Sequence, residues 1–231
     1  MIGIIGAMDI EVNGIIEKMT DKKSETVSST VYTSGKISGK DCVVAKCGIG
    51  KVNAAVATQT MILKYNPDMI INTGIGGSTS LKTHIGYVVI AENVVQHDMD
   101  TTALGDELAT LFLPEENIKY IPCDEQLIGK LETACKNVGE NNYVVGTVAT
   151  GDKFISGNER RCELNQKFNA LVCEMEGGSI GQVCRLNHIP FAILRSVSDS
   201  MSDEDDAVEY STFSKAAAEK SIEIICAFLE I

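Results

Sequence analysis

Four ionisable residues stand at the ends of apolar runs that lie far apart in the chain, and their types define a chemistry. Glu11 follows the run Ile2 to Met8, and Glu176 closes Leu171-Val172-Cys173-Glu174-Met175-Glu176. Arg195 and Asp199 close the run that starts at Ile189. Open α/β sheets bind ligands outside the carboxyl ends of their strands, so side chains that end different strands can share one pocket. Several acids with one arginine suit bond cleavage through a cationic, sugar-like transition state.

Each motif has a plainer alternative. Glu176, at the start of a helix, could serve only as a favourable dipole partner. Two glutamates two apart in extended geometry, Glu174 and Glu176, project from the same side. A carboxylate there is a good bidentate partner for the vicinal hydroxyls of ribose. Asp199 could be a turn or helix cap; held half-buried, its carboxyl could instead donate a proton near neutral pH. Gly48-Ile49-Gly50-Lys51 is not a P-loop, since Ala45 and Val52 occupy the positions of its first glycine and its Ser or Thr. Asn53 likewise breaks a dinucleotide fingerprint, leaving a tight strand-to-helix turn. Asp203-Glu204-Asp205-Asp206 reads as a solvated acidic loop rather than a metal site.

The elements that must position these residues alternate along the chain as strands and helices, an α/β pattern. Strands are expected over 1–7, 69–72, 87–96 and 143–148 and in the runs ending at Glu176 and Asp199. A hairpin is expected over 31–46, and helices over 12–19, 51–65, 125–138, 177–186 and 208–229. Thr73 to Ser78 reads as a glycine-rich loop, and 97–117 as a long polar loop. The whole chain, 1–231, reads as one domain.

The totals exclude several classes. A formal charge of −12 provides no basic surface for nucleic acid or anionic membranes. No apolar stretch reaches the roughly 18 residues of a membrane helix, and Met1 leads straight into a strand-like run, so a cytoplasmic protein is expected. The eight cysteines form no CxxC pair and read as buried thiols. His84, His97 and His188 show no metal-ligand spacing, so neither a metal nor another cofactor is expected.

In their order and spacing these segments resemble the 5′-methylthioadenosine/S-adenosylhomocysteine nucleosidases of the purine and uridine phosphorylase superfamily. The resemblance runs from Ile2 to Met8 with Glu11, through Gly48 to Val52, Ile71 to Gly74, Gly151 to Ile155 and Glu174-Met175-Glu176, to Arg195 and Asp199. It implies a three-layer α/β/α fold around a mixed, partly closed sheet, an adenine thionucleoside as substrate, and a homodimer. It implies that Asp199, oriented by Ser198, protonates adenine N7, and that Glu11, with Arg195 nearby, positions and deprotonates water. Glu176 would hold the ribose hydroxyls and Met175 would pack on the sugar. Phe154 would stack on the base, whose edge the Ile155 backbone would bond. Met8, Ile49, Tyr210 and Phe213 would line the sugar and 5′-thioalkyl side, and Leu104 would reach the partner subunit's pocket.

Chemistry supports the same roles. Adenine leaves poorly as an anion, and a positioned acid contributes about 10²- to 10⁴-fold. Flanking carboxylates stabilise the charge growing on the ribose, and water attacking the opposite face predicts inversion at C1′. Phosphate set about 4 Å from Glu11 would be repelled by roughly 4 kcal/mol at an effective dielectric of 20, so hydrolysis is favoured over phosphorolysis. Three departures from the family pattern stand out. Ile75 occupies a position where serine commonly follows Thr-Gly, and Leu104 and Tyr210 stand where aromatic residues including phenylalanine are familiar. A related purine nucleosidase or phosphorylase, or a nucleoside-binding protein without turnover, is the alternative.

Overall fold

The computed structural model describes residues 1–201 and 206–231, with backbone alone for 206–208. The chain runs β1 (Ile2–Gly6), α1 (Asp9–Glu17), β2 (Thr20–Val27), β3 (Thr30–Ile37), β4 (Lys40–Lys46), α2 (Lys51–Tyr65), β5 (Met69–Ser78) and β6 (Val88–Gln96). A 3₁₀ turn (Thr102–Leu104) and short strands β7 (Leu111–Phe112), β8 (Asn117–Ile118) and β9 (Tyr120–Pro122) follow. Next come α3 (Glu125–Asn137), β10 (Tyr143–Thr150), α4 (Asn158–Phe168), β11 (Ala170–Glu174), α5 (Gly177–Leu186), β12 (Phe191–Asp199) and α6 (Asp206–Phe228).

Among the described residues, ten strands form one mixed sheet in the order β11-β10-β6-β12-β5-β1-β4-β3-β2, with β9 beside β6. Neighbouring residues on the central strands serve opposite faces. Ile5, Val43 and Ile70 pack in one apolar cluster with Ala54, Met61 and Ile180, from α2 and α5. Ile4, Val44 and Ile71 pack in another with Val12, Leu131 and Ile225, from α1, α3 and α6. Strands covered on both faces read as unbroken apolar runs, which is why the sequence shows them so clearly. The result is the expected three-layer α/β/α arrangement.

The sheet is also partly closed. The end of β5 pairs antiparallel with β11, Gly77 opposite Cys173 and Ser78 opposite Val172, so β5, β12, β6, β10 and β11 form a ring. This corrects the expectation of a short strand over 69–72 followed by a loop, because the strand continues through the glycines to Ser78. The reason is space: a Cβ at Gly76 would stand 2.7 Å from Val172 Cγ2 and 3.0 Å from the Cys173 carbonyl oxygen.

Other expectations change as well. The hairpin gains a third strand, β2, whose polar, exposed sequence gives no apolar alternation. Helix α4 was not foreseen, and the expected long loop contains the 3₁₀ turn and the β7–β8 pair. The expected strand to Glu176 stops at Glu174, and Glu176 becomes the cap residue of α5 with ψ −41°. Of the expected acidic loop, 203–205 lies outside the described residues, and Asp206 opens α6. Seven of the eight cysteines are buried, Cys162 being the partly exposed one. No helix among the described residues is long and apolar enough to cross a membrane.

Candidate active site

Glu11 sits at the third position of α1 and turns back over the helix start, as the acid of a capping box does. Its Oε2 accepts from the Ala7 and Met8 amides at 2.7 and 2.9 Å, and its Oε1 from the Ile75 amide at 3.1 Å. Three main-chain donors from two elements therefore fix this carboxylate. Gly74 leaves room for it, since a Cβ there would stand 2.5 Å from Oε1. Burial raises the Glu11 pKa above the ordinary glutamate range, and the Arg195 charge and the three amides only partly oppose this.

Arg195 and Glu174 form a buried pair behind that site. Arg195 Nη2 also donates to Asn72 Oδ1 at 2.5 Å. Glu174 accepts the Thr150 hydroxyl and the Glu176 and Gly177 amides, at 3.1 and 2.7 Å for the two amides. Arg195 thus reaches Glu11 through its charge, and its direct side-chain partners are Glu174 and Asn72, with Nη1 donating to the Leu194 carbonyl at 3.0 Å.

The two glutamates expected to project from the same side of an extended run have separate tasks. Glu174 pins Arg195 and caps α5, whereas Glu176 accepts the Gly50 amide at 2.8 Å. That bond fastens the turn after β4, where Gly48 and Gly50 take φ of 86° and 96°, values that favour glycine. Burial, followed by the neighbouring Glu174 charge, raises the Glu176 pKa.

Asp199, at the end of β12, is not the half-buried carboxyl expected from the sequence. It is 2% exposed, accepts the Ser198 hydroxyl at 2.6 Å, and is ion-paired with a fully buried Arg161. The sequence reading missed Arg161. Its signal was its place on α4: Arg161, Leu164 and Phe168 share the buried face, and an arginine on an apolar face demands a partner.

One pocket gathers most of the predicted residues. Glu11, Glu176, Ser198 and Asp199 line it together with Met8, Ile49, Phe154, Met175 and Tyr210. Its space is about 540 Å³, part of it open to solvent, a size suited to a small molecule. Ile155 lines an adjoining recess with Phe154, Met175 and Asp199. Phe154 and Tyr210 meet edge to face at 5.7 Å, and the Tyr210 hydroxyl donates to Met8 Sδ at 3.4 Å. Among the described residues, this wall includes neither Arg195 nor Phe213 nor Leu104. Leu104 is 83% exposed on the 3₁₀ turn. Ile75 lines the pocket and packs with Ala217 and Ala218 of α6. The arrangement brings Glu11 and Asp199, carboxylates in different settings, to one mostly apolar pocket beside Glu174 and Glu176, which suits acid–base cleavage of a bond held there.

This fold and pocket define a class: the chain belongs to the phosphorylase superfamily, whose sequence model matches residues 1–230. Within that class the relatives are specific. The chain is 37% identical over 230 residues to the 5′-methylthioadenosine/S-adenosylhomocysteine nucleosidase of Shewanella halifaxensis, covering 99% of this chain and 98% of the relative. The crystal structure of the same-named nucleosidase from Neisseria meningitidis, in complex with methylthio-immucillin-A, superposes with a TM-score of 0.92. Its identity is 31%, over 99% of this chain and 98% of that one. The native futalosine hydrolase of Helicobacter pylori also matches with a TM-score of 0.92, at 30% identity over 99% and 97% of the two chains.

Proposed function

We propose that this chain is a hydrolase of the N-glycosidic bond of 5′-methylthioadenosine and S-adenosylhomocysteine, releasing adenine and the S-substituted thioribose. Glu11, Glu176 and Asp199 lining one pocket is the observation that carries the reading. The names of relatives that match nearly the whole chain support it.

In this mechanism Asp199 gives a proton to N7 as the C1′–N9 bond breaks and its electron pair passes into the purine. Glu11 takes a proton from water, whose oxygen bonds to C1′ on the opposite face. A general base works best with a pKa near the working pH, so the raised Glu11 suits this role. Glu176 accepts from the ribose hydroxyls, Met175 and Met8 pack on the sugar, and Phe154 stacks on the base with the Ile155 backbone at its edge. Ile49, Tyr210 and Phe213 serve the 5′-thioalkyl side. The Arg195 charge, held by Glu174, opposes loss of the Glu11 charge.

Residues 1–231 act as one domain without a cofactor, in the cytoplasm and as a homodimer. Leu104 would enter the second copy's pocket, and the exposed Val52 and Leu63 of α2 would supply apolar contact area. Adenine release from either thionucleoside in phosphate-free buffer tests the reading, with adenosine and inosine as comparison substrates. A strict requirement for phosphate, or tight binding with no base released, would overturn it.

A further inference from the structure

The two oxygens of Asp199 have different neighbours. Oδ1 accepts the Ser198 hydroxyl at 2.6 Å, while Oδ2 accepts from Nη2 of Arg161. Arg161 is wholly buried, and its Nη1 donates to the Ser78 carbonyl at 2.9 Å and to the Asp199 carbonyl at 3.3 Å. The guanidinium is thus held by the main chains at the ends of β5 and β12 as well as by the carboxylate. Gly77 makes the space: a Cβ there would stand 2.6 Å from Oδ2 and 3.1 Å from Nη2.

We propose that Arg161 is a positioning residue for the acid: it holds Oδ2 and leaves Oδ1 as the oxygen that carries and releases the proton. The inference rests on the nucleosidase reading. An arginine nitrogen can only donate, so the oxygen facing it must accept. A hydrogen on Oδ1 can be donated to N7 while that same oxygen still accepts from Ser198.

In the step itself, the C1′–N9 electron pair enters the purine, the Oδ1–H bond breaks and the N7–H bond forms. Asp199 is left as a buried carboxylate, and Arg161 is the cation already beside it. A buried charge without such a partner is costly. Once Asp199 carries its proton, the guanidinium therefore favours the products of its transfer, which is where added stabilisation speeds that step. Its effect runs through Asp199 rather than through contact with the nucleoside.

The test uses the full chain with Arg161→Met, Arg161→Lys, Asp199→Asn and the double variant Arg161→Met/Asp199→Asn. Adenine release from 5′-methylthioadenosine gives kcat and KM, and binding of its 7-deaza analogue, which has no N7 to protonate, gives a Kd. Arg161→Met is expected to lower kcat on the order of 10²-fold while KM and the analogue Kd move less than about threefold. Arg161→Lys, which keeps the charge and loses the fork, should recover part of kcat. In single-turnover assays the double variant should match Asp199→Asn within about threefold, because Arg161 has nothing left to act through.

Parallel losses of rate and analogue affinity would reduce Arg161 to a structural residue and overturn the proposal. An unchanged kcat would do the same. Should Arg161→Met fail to fold, the double variant, which removes both members of the pair, decides: a rate well below that of Asp199→Asn overturns the assignment. Absence of adenine release by the unaltered chain would instead strike the nucleosidase reading itself.

Discussion

Two of the acids that line the pocket, Glu11 and Asp199, are held by different kinds of bond. Glu11 is held by three backbone amides from the β1–α1 turn and β5, donors that substitution of the side chains at 7, 8 and 75 would leave in place. Asp199 is held by two side chains, Ser198 and Arg161, each of which a point mutation can remove. In the proposed mechanism the water-activating end is thus a property of the fold, whereas the proton-donating end depends on particular residues. A site built this way would keep the proposed base through sequence change and could retune the proposed acid.

Substitutions probe this contrast in decreasing order of effect. Asp199→Asn should cost the most, up to about 10⁴-fold in adenine release, because the amide matches the carboxyl in shape and has no comparable proton to give. Glu11→Gln should lower kcat about 10²-fold. It should also destabilise the protein by about 1–3 kcal/mol in denaturant unfolding, since the amide has a single acceptor oxygen for three main-chain donors.

The pH profile should report Glu11 directly. Glu11 must be ionised to accept a proton, and its pKa is raised by burial. In kcat/KM the loss of activity on acidification should therefore set in above the ordinary glutamate range. This limb should disappear in Glu11→Gln; a limb that persists there would belong to another group.

Glu176→Gln should raise KM for the thionucleosides about tenfold, with a smaller change in kcat. Its effect on stability has the opposite sign. A carboxyl whose pKa is raised in the folded state stabilises fully below its unfolded pKa, and this contribution is lost as pH rises through the folded value. At alkaline pH the neutral amide should raise Tm by about 2–4 °C, which thermal unfolding of the two proteins would check. Ile75→Ser should have the smallest catalytic effect, less than about threefold in kcat, because the group that bonds Glu11 is the Ile75 amide, which the substitution keeps. A large gain in rate would show that a hydroxyl at 75 orders the water better than the main chain does.

What the sequence disclosed follows the same division between local and distant causes. Helices α2 and α5 matched their expected bounds, since apolar periodicity and local stops mark them: Asn66, in the left-handed region before Pro67, ends α2. Strand β5 was cut short because glycines usually punctuate loops, whereas here they admit β11 and the side chains of Glu11 and Asp199. Strand β2 was invisible because Thr20 to Val27 is polar and mostly exposed. Glu11, Glu176 and Asp199 could be read as ends of apolar runs. The partners that set their state could not, since Arg161 meets Asp199 from 38 positions away and Arg195 meets Glu174 from 21. Pairings of that kind are fixed by topology, and single-sequence patterns do not record them.

The β5–β11 contact is a clasp made of two residue pairs, and it fastens a hoop of five strands. Gly77, within the clasp, lies against Asp199, and Gly74, three residues earlier on the same strand, lies against Glu11. One strand therefore works as a ruler between Asp199 and Glu11, its length fixed by covalent geometry and its end fastened by the clasp. Any side chain that springs the clasp at Gly76 or Gly77 would disturb Asp199 before it reached Glu11.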